Sequence, residues 1–261
     1  QLHTSVNDVR WSEFLGRTRA IAYFVADGRV YLLSYLDDAW TIRPLELDAE
    51  ALRVDVDDLL EHLEQPGDRL QRLSDALLPP WARPPRGAAV VLVPDDVLVS
   101  VPFEALLVEG TPLGVRNACS RMPSLTTTGA WSGAPADDTA RMVALGDSRG
   151  DLPEARAESE ELSAQLGAEL AIADTATRAW LDERRDTRLW NLAVHAGLDE
   201  RGSWLQLSDA RLSADEIAAW ETAPSTVVLA ACASATGRDE GHWGTLPTAF
   251  LLAGSERVVA T

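Results

Sequence analysis

One histidine and one cysteine of this chain stand where they could share chemistry. His195 follows the short apolar run Leu189-Trp190-Asn191-Leu192-Ala193-Val194. Cys232 follows Thr226-Val227-Val228-Leu229-Ala230-Ala231, a β-branched-rich run of the same type. A free thiol has a pKa of about 8.5 and needs a neighbouring imidazole to become a thiolate nucleophile at neutral pH. Such a pair can attack a carbonyl covalently, with the imidazole taking and returning the proton. Taken singly, each residue has an ordinary explanation: a histidine after a buried strand is by default structural, and a cysteine in an apolar strand is by default core. The matching positions of the two are what point to a site.

The elements around them must supply that match. Both runs are bounded by turn residues and read as buried strands of a parallel sheet. Between them, Ser213-Ala214-Asp215-Glu216-Ile217-Ala218-Ala219-Trp220 has the N-cap and polar first turn of a short helix. A strand–helix–strand unit makes the two strands parallel, with both C-terminal ends on one edge of the sheet. Open α/β sheets bind their ligands along that edge. His195 and Cys232 are therefore expected to face one crevice.

The residues that carry this pattern also resemble a family. His195-Ala196-Gly197, the segment Ser203-Trp204-Leu205-Gln206-Leu207-Ser208-Asp209 and the run into Cys232 resemble the CHAT-domain branch of the caspase-like cysteine peptidases. Leu246-Pro247-Thr248-Ala249-Phe250-Leu251-Leu252-Ala253-Gly254 and Val258-Val259-Ala260 continue the likeness, as do Val93-Pro94-Asp95 and Val101-Pro102-Phe103-Glu104-Ala105-Leu106 upstream. It covers nearly all of the chain from about Thr18 onward. The resemblance implies a three-layer α/β caspase-like fold with a mostly parallel central sheet. Residues 1–128 would form a degenerate, non-catalytic half, 129–140 a linker and 141–261 the catalytic half.

The activity implied is cysteine endopeptidase action on a protein or peptide, through a Cys232–His195 dyad. Backbone N–H groups of Cys232 and of Ala196 or Gly197 would hold the oxyanion. The pattern often has Gly directly after His, whereas here Ala196 comes first. No metal and no organic cofactor is implied. A regulated effector protease is implied too, switched by an activating partner or a fused helical-repeat region. The alternative from another class is a catalytically silent caspase-like scaffold that serves as an interaction module.

Asp147, at the end of the strand-like run Met142-Val143-Ala144-Leu145-Gly146, has two open roles. It lines the pocket for the residue before the cut, favouring Arg or Lys there, or it caps its own loop and leaves a medium apolar preference. Cys119 has no histidine near it in sequence and reads as packing; His242, in a Gly-rich loop, is a rival to His195.

Composition bounds the rest. With 41 acidic and 23 basic residues the formal charge is −18, which argues against nucleic acid and anionic membrane as partners. All the basic residues other than histidine are arginine; a GC-rich coding genome explains that plainly. The lack of lysine excludes a Walker-type lysine, a Schiff-base lysine and a Ser-Lys dyad. There is no Cys-x-x-Cys, His-Glu-x-x-His or Gly-x-Gly-x-x-Gly, so zinc and Rossmann readings lack support. Two cysteines suit a reducing compartment, and no apolar run approaches the roughly 20 residues of a membrane span. A cytoplasmic setting is expected. The chain begins without Met and stops within a strand-like run, so it reads as a piece of something longer, truncated at its C-terminus.

Along the chain, 18–46 alternate as strands about an Asp27-Gly28 hairpin turn. Residues 48–78 have helical spacing through Leu52, Val56, Leu59, Leu60, Leu63, Leu70, Leu73 and Leu77. Ala88–Val93 reads as a buried strand. From Pro153 to Gln165 a helix is expected, its glutamates outward and Ala157, Leu162 and Leu166 inward. A strand over 168–173 and a helix over 177–186 lead into the His195 run.

Overall fold

Asp27 and Gly28 both have positive φ, +51° and +71°, as a two-residue type I′ turn demands. The computed structural model describes residues 18–36, 39–125, 141–200, 202–231 and 244–260. In it, that turn joins β1 (Arg19–Ala26) to β2 (Arg29–Leu36), with Val25 opposite Val30 and Ala26 opposite Arg29. β3 (Ala39–Asp48) extends this antiparallel meander. β4 (Val90–Val93), buried throughout, lies parallel to β1 on its other side. Next in sequence, β5 (Leu107–Val108) and β6 (Thr111–Pro112) pair with each other alone. β7 (Cys119–Arg121) then joins β4 in parallel, giving the order β3-β2-β1-β4-β7.

The helical stretch that follows β3 divides in two. The helix Ala49–Glu61 is capped by Asp48, whose carboxylate accepts from the amides of Glu50 and Ala51. The helix Gly67–Leu77 follows Pro66, and Leu63, expected on the apolar face, lies exposed between them. Proline cannot continue a helical ladder, which places the break. Leu52, Val56, Leu59, Leu73 and Leu77 pack with Ile21, Leu32, Leu92 and Phe103 as the core of this unit. Tyr23 anchors the sheet to the second helix by donating to the Leu77 carbonyl at 2.7 Å; burial pushes its phenol up, so it stays a neutral donor.

The chain forms two compact units, the first holding β1–β7 and the second the remaining strands. The stretch 129–140, read as a linker, lies outside the described residues.

In the second unit, β8 (Met142–Gly146), β9 (Glu169–Ile172) and β10 (Leu189–Ala193) come first in sequence. A small antiparallel sheet follows, made of β11 (Ala196–Asp199), β12 (Gly202–Gln206) and β13 (Arg211–Ser213). Then come β14 (Thr226–Leu229) and β15 (Arg257–Ala260). The main sheet has the order β15-β14-β10-β8-β9, and every pairing in it is parallel. The connection from β10 to β14 is thus more than the single short helix expected from sequence. Leu205 and Leu207 point inward while Trp204 and Gln206 stay half-buried, a period of two that makes a strand. The short helix Ala214–Ala218 comes only after that sheet, with the Ser213–Glu216 capping box at its start.

Neighbouring residues on β10 show what covers each face. Trp190 is fully buried and meets Trp220 and Phe250 edge-on, with centroids 6.0 and 6.2 Å away. Asn191 faces the other way and donates to Glu158 of the helix Pro153–Leu166 at 3.1 Å. That helix buries Ser159 and half-buries Ala155 and Leu162, while Ala157 and Leu166 are exposed, which corrects the face expected from sequence. The reason is Gly146. A Cβ there would stand 2.2 Å from the Ser159 hydroxyl and 2.7 Å from the Ala155 carbonyl, so small residues sit directly on the strand. Among the described residues no helix is long and apolar enough to cross a membrane.

Candidate active site

His195 sits between β10 and β11, where the parallel sheet hands over to the antiparallel one. Its ring is partly open to solvent, with 40% of the side chain exposed. Nε2 lies 2.9 Å from Oδ1 of Asp151, and among the described residues the ring makes no hydrogen bond through Nδ1. Asp151 comes from the loop after β8, the strand beside β10, so two adjacent C-terminal strand ends supply the pair.

The loop that carries Asp151 is fixed from several sides. Asp147 takes a left-handed conformation with φ of +49°, which turns the chain out of β8. Its amide donates to the Ala193 carbonyl at 3.0 Å. Its carboxylate accepts from the Leu152 amide at 2.8 Å and from Arg156 at 2.8 and 2.7 Å. Burial alone would raise this carboxyl, but the Leu152 amide and the Arg156 guanidinium outweigh it and hold it below the usual carboxylate range. Ser148, also buried, donates its hydroxyl to the Gln206 carbonyl at 2.6 Å. The Gln206 amide in turn donates to the His195 carbonyl at 2.8 Å. The partners observed for the Asp147 carboxylate are thus its own loop and Arg156. The Asp147 side chain is only 2% exposed.

Ala196 and Gly197 begin β11, opposite Leu205 and Trp204 of β12. Antiparallel partners alternate between hydrogen-bonded and non-bonded pairs. Because the Gln206 amide bonds the His195 carbonyl, that alternation commits the Gly197 amide to the Trp204 carbonyl and turns the Ala196 amide away from β12. Gly197 is required for a second reason: a Cβ would stand 2.4 Å from the Trp204 ring. Arg211 covers that indole, 4.0 Å from the ring centroid.

Cys232 lies outside the described residues, as does His242. What is described is the approach to the cysteine. β14 runs parallel to β10 with Leu192 opposite Leu229, and the Ala230 amide donates to the Leu192 carbonyl at 3.0 Å. The other cysteine, Cys119, is a half-buried packing residue of β7, and its thiol is pushed up to about 11, chiefly by burial and then by Glu104. A thiol so placed stays protonated and unreactive.

Asp151, Ser148 and Gln206 were not singled out by sequence reasoning. The available signal was an aspartate four residues beyond Asp147, in a loop that must lie at the same sheet edge as His195 once β8 and β10 are neighbours. Among the described residues no group of three His, Cys, Asp or Glu is arranged to hold a metal ion. The family model described as CHAT domain matches residues 67–261, well over half of the chain. A search of the curated proteins found no match.

Proposed function

The chain belongs to the CHAT-domain family, which is associated with caspase-like cysteine peptidases, and from that premise we propose that it is a cysteine endopeptidase using Cys232 and His195. One observation carries the reading. Leu192 and Leu229, the last partners of the β10–β14 ladder, stand three residues before His195 and Cys232 respectively. Two chains leaving a parallel ladder in step supply a histidine and a cysteine at the same count.

In this reading the Cys232 thiolate attacks the scissile carbonyl after His195 takes its proton, and His195 then delivers that proton to the leaving amine. The oxyanion is held by the amides of Cys232 and Ala196; Gly197's is already committed to β12. Asp147 serves the site by fixing its loop, so the pocket for the residue before the cut favours a medium apolar side chain over arginine. The larger frame is a three-layer caspase-like arrangement with a non-catalytic first half. An activating partner or a fused helical-repeat region governs access to the site.

The test is labelling with a peptidyl ketone probe that alkylates active-site thiols, applied to the wild-type chain and to Cys232→Ala and His195→Ala. Labelling that needs both side chains supports the assignment. Equal labelling of Cys232→Ala, or labelling confined to Cys119, would sink it.

A further inference from the structure

We propose that the free edge of β11 holds the polypeptide substrate beyond the cut: its extended main chain adds a strand there, bonding to the Ala196 carbonyl and to the Leu198 amide and carbonyl. This rests on the cysteine-peptidase reading given above. β11 is the outermost strand of the order β11-β12-β13, so one side of it meets β12 and the other meets no strand among the described residues. The antiparallel alternation that turns the Ala196 amide outward does the same for the Ala196 carbonyl and for both main-chain groups of Leu198. Ser203, opposite Leu198, agrees with this: its amide points away from β11 and donates to the Gly244 carbonyl at 3.4 Å.

An open strand edge invites pairing, and folds ordinarily blunt it with proline, bulges or charges. β3, outermost in the sheet of the first unit, is blunted in this way. Pro44 interrupts its row of amides, its register with β2 shifts between Arg29 and Tyr31, and Arg43 and Glu46 are exposed. β11 has no proline, and its pairs with β12 run from Ala196 to Asp199 without a shift. Gly197 adds no side chain to screen the backbone, and Leu198 stands 42% exposed. Its one charged residue, Asp199 at the far end, is engaged by Arg211 at 3.5 Å. The near end is held firm, by the Gln206 amide on the His195 carbonyl and by Ser148 on the Gln206 carbonyl. A strand fixed in advance binds a partner without the cost of ordering itself.

Position decides the occupant. β11 begins at the residue after His195, and in the reading above His195 delivers a proton to the leaving amine. The chain that continues from that amine departs on the His195 side, where β11 begins. Strand addition draws its affinity from main-chain bonds. The substrate must therefore be extended at this point, because a helix or a sheet interior has its own amides already paired. The Ala196 amide stays with the oxyanion, and the Ala196 carbonyl and Leu198 take the chain that follows.

The test compares two substrates that share one acyl part, selected from a pooled peptide library as cut by the wild-type chain. One is an internally quenched peptide that continues beyond the cut, and the other carries a single aminocoumarin there. The quantity read is the ratio of kcat/KM for the long substrate to that for the short one, in wild type, Leu198→Pro and Leu198→Ala, with melting temperature recorded for each. Leu198→Pro deletes the outward amide, and an edge position whose amide faces outward tolerates proline. The ratio should fall roughly five- to tenfold in Leu198→Pro and stay near the wild-type value in Leu198→Ala, which keeps the amide. If Leu198→Pro melts early, N-methylation of the long substrate decides the matter on the wild-type chain. Methyl groups on every second amide beyond the cut should slow cleavage and those between should not, since only alternate amides face β11. An unchanged ratio in a normally melting Leu198→Pro, or N-methyl effects without alternation, would overturn the role of β11 and leave the peptidase reading standing. A dimer in sedimentation that Leu198→Pro dissolves would also overturn it, giving the edge to a second copy of the chain. A chain that cuts neither substrate and fails the ketone labelling would overturn the peptidase reading itself.

Discussion

Ser148 donates its hydroxyl to the Gln206 carbonyl at 2.6 Å, and this bond joins the loop after β8 to the antiparallel sheet that begins just after His195. The two residues are 58 positions apart, and neither belongs to a motif. Their contact exists because β8 and β10 are adjacent and parallel, so what leaves one strand end meets what leaves the other.

Ser148→Ala removes that buried donor and leaves the half-buried Gln206 carbonyl without it. The expected cost is about 1–2 kcal/mol, in the range of an unmade buried hydrogen bond. Urea unfolding with an unchanged m-value and a lowered midpoint would register it. A midpoint equal to wild type would mean that the bond adds nothing to the fold.

Asp147→Asn addresses the other tie. The carboxylate is buried, but its partner Arg156 is 40% exposed and can rehydrate, so the loss should be about 1–3 kcal/mol, below the cost of stranding a fully buried charge. The pH dependence has a definite sign. A carboxyl held below its ordinary range in the folded state contributes stability that is fully present above about pH 4 and fades as the pH falls through its folded value. The gap between wild type and Asp147→Asn should therefore be widest near neutrality and narrow in acid. A gap that is constant between pH 7 and pH 3 would contradict the ion-paired role.

Glu216 offers a second acid-side test away from the active site. It accepts from the Ser213 amide, from Arg178 and from the Ser213 hydroxyl, and these hold its carboxyl down at about 2. Its ordinary value is 4.5, so the contribution is complete above that pH and disappears only as the pH falls towards about 2. Glu216→Gln should unfold more easily than wild type at pH 6 and differ little from it near pH 2. Thermal melts at the two pH values decide the matter.

How much of this was legible in the sequence differs by kind of feature. The Asp27-Gly28 turn, the buried run at Val90–Val93 and the strands before Gly146 and His195 announce themselves locally, through turn chemistry and apolar runs. The antiparallel sheet β11–β13 was hidden because its strands have three to five residues, too few for a period of two to stand out. The inward face of the helix Pro153–Leu166 was misjudged because close contact at Gly146 selects serine and alanine over leucine there. His195 drew attention as a histidine at a strand end, whereas Asp151 is one acid among many in a polar loop. Its meaning comes only from β8 lying beside β10.

Gly197 gives the sharpest steric prediction. A methyl group at this position would lie 2.4 Å from Trp204 Cζ2 and 2.9 Å from Cε2, well inside carbon–carbon contact distance. The indole cannot simply retreat: Trp204 is paired across from Gly197, and Arg211 stacks on it 4.0 Å from the centroid. Gly197→Ala should therefore cost about 1–3 kcal/mol, as overpacking does, and shift the backbone next to His195. Trimming the obstacle tests the cause. Trp204→Leu alone should destabilise through lost packing, but in its presence Gly197→Ala should cost much less, a coupling of about 1 kcal/mol or more in a double-mutant cycle. If the two effects simply add, the clash with the indole is not what keeps glycine beside Ala196.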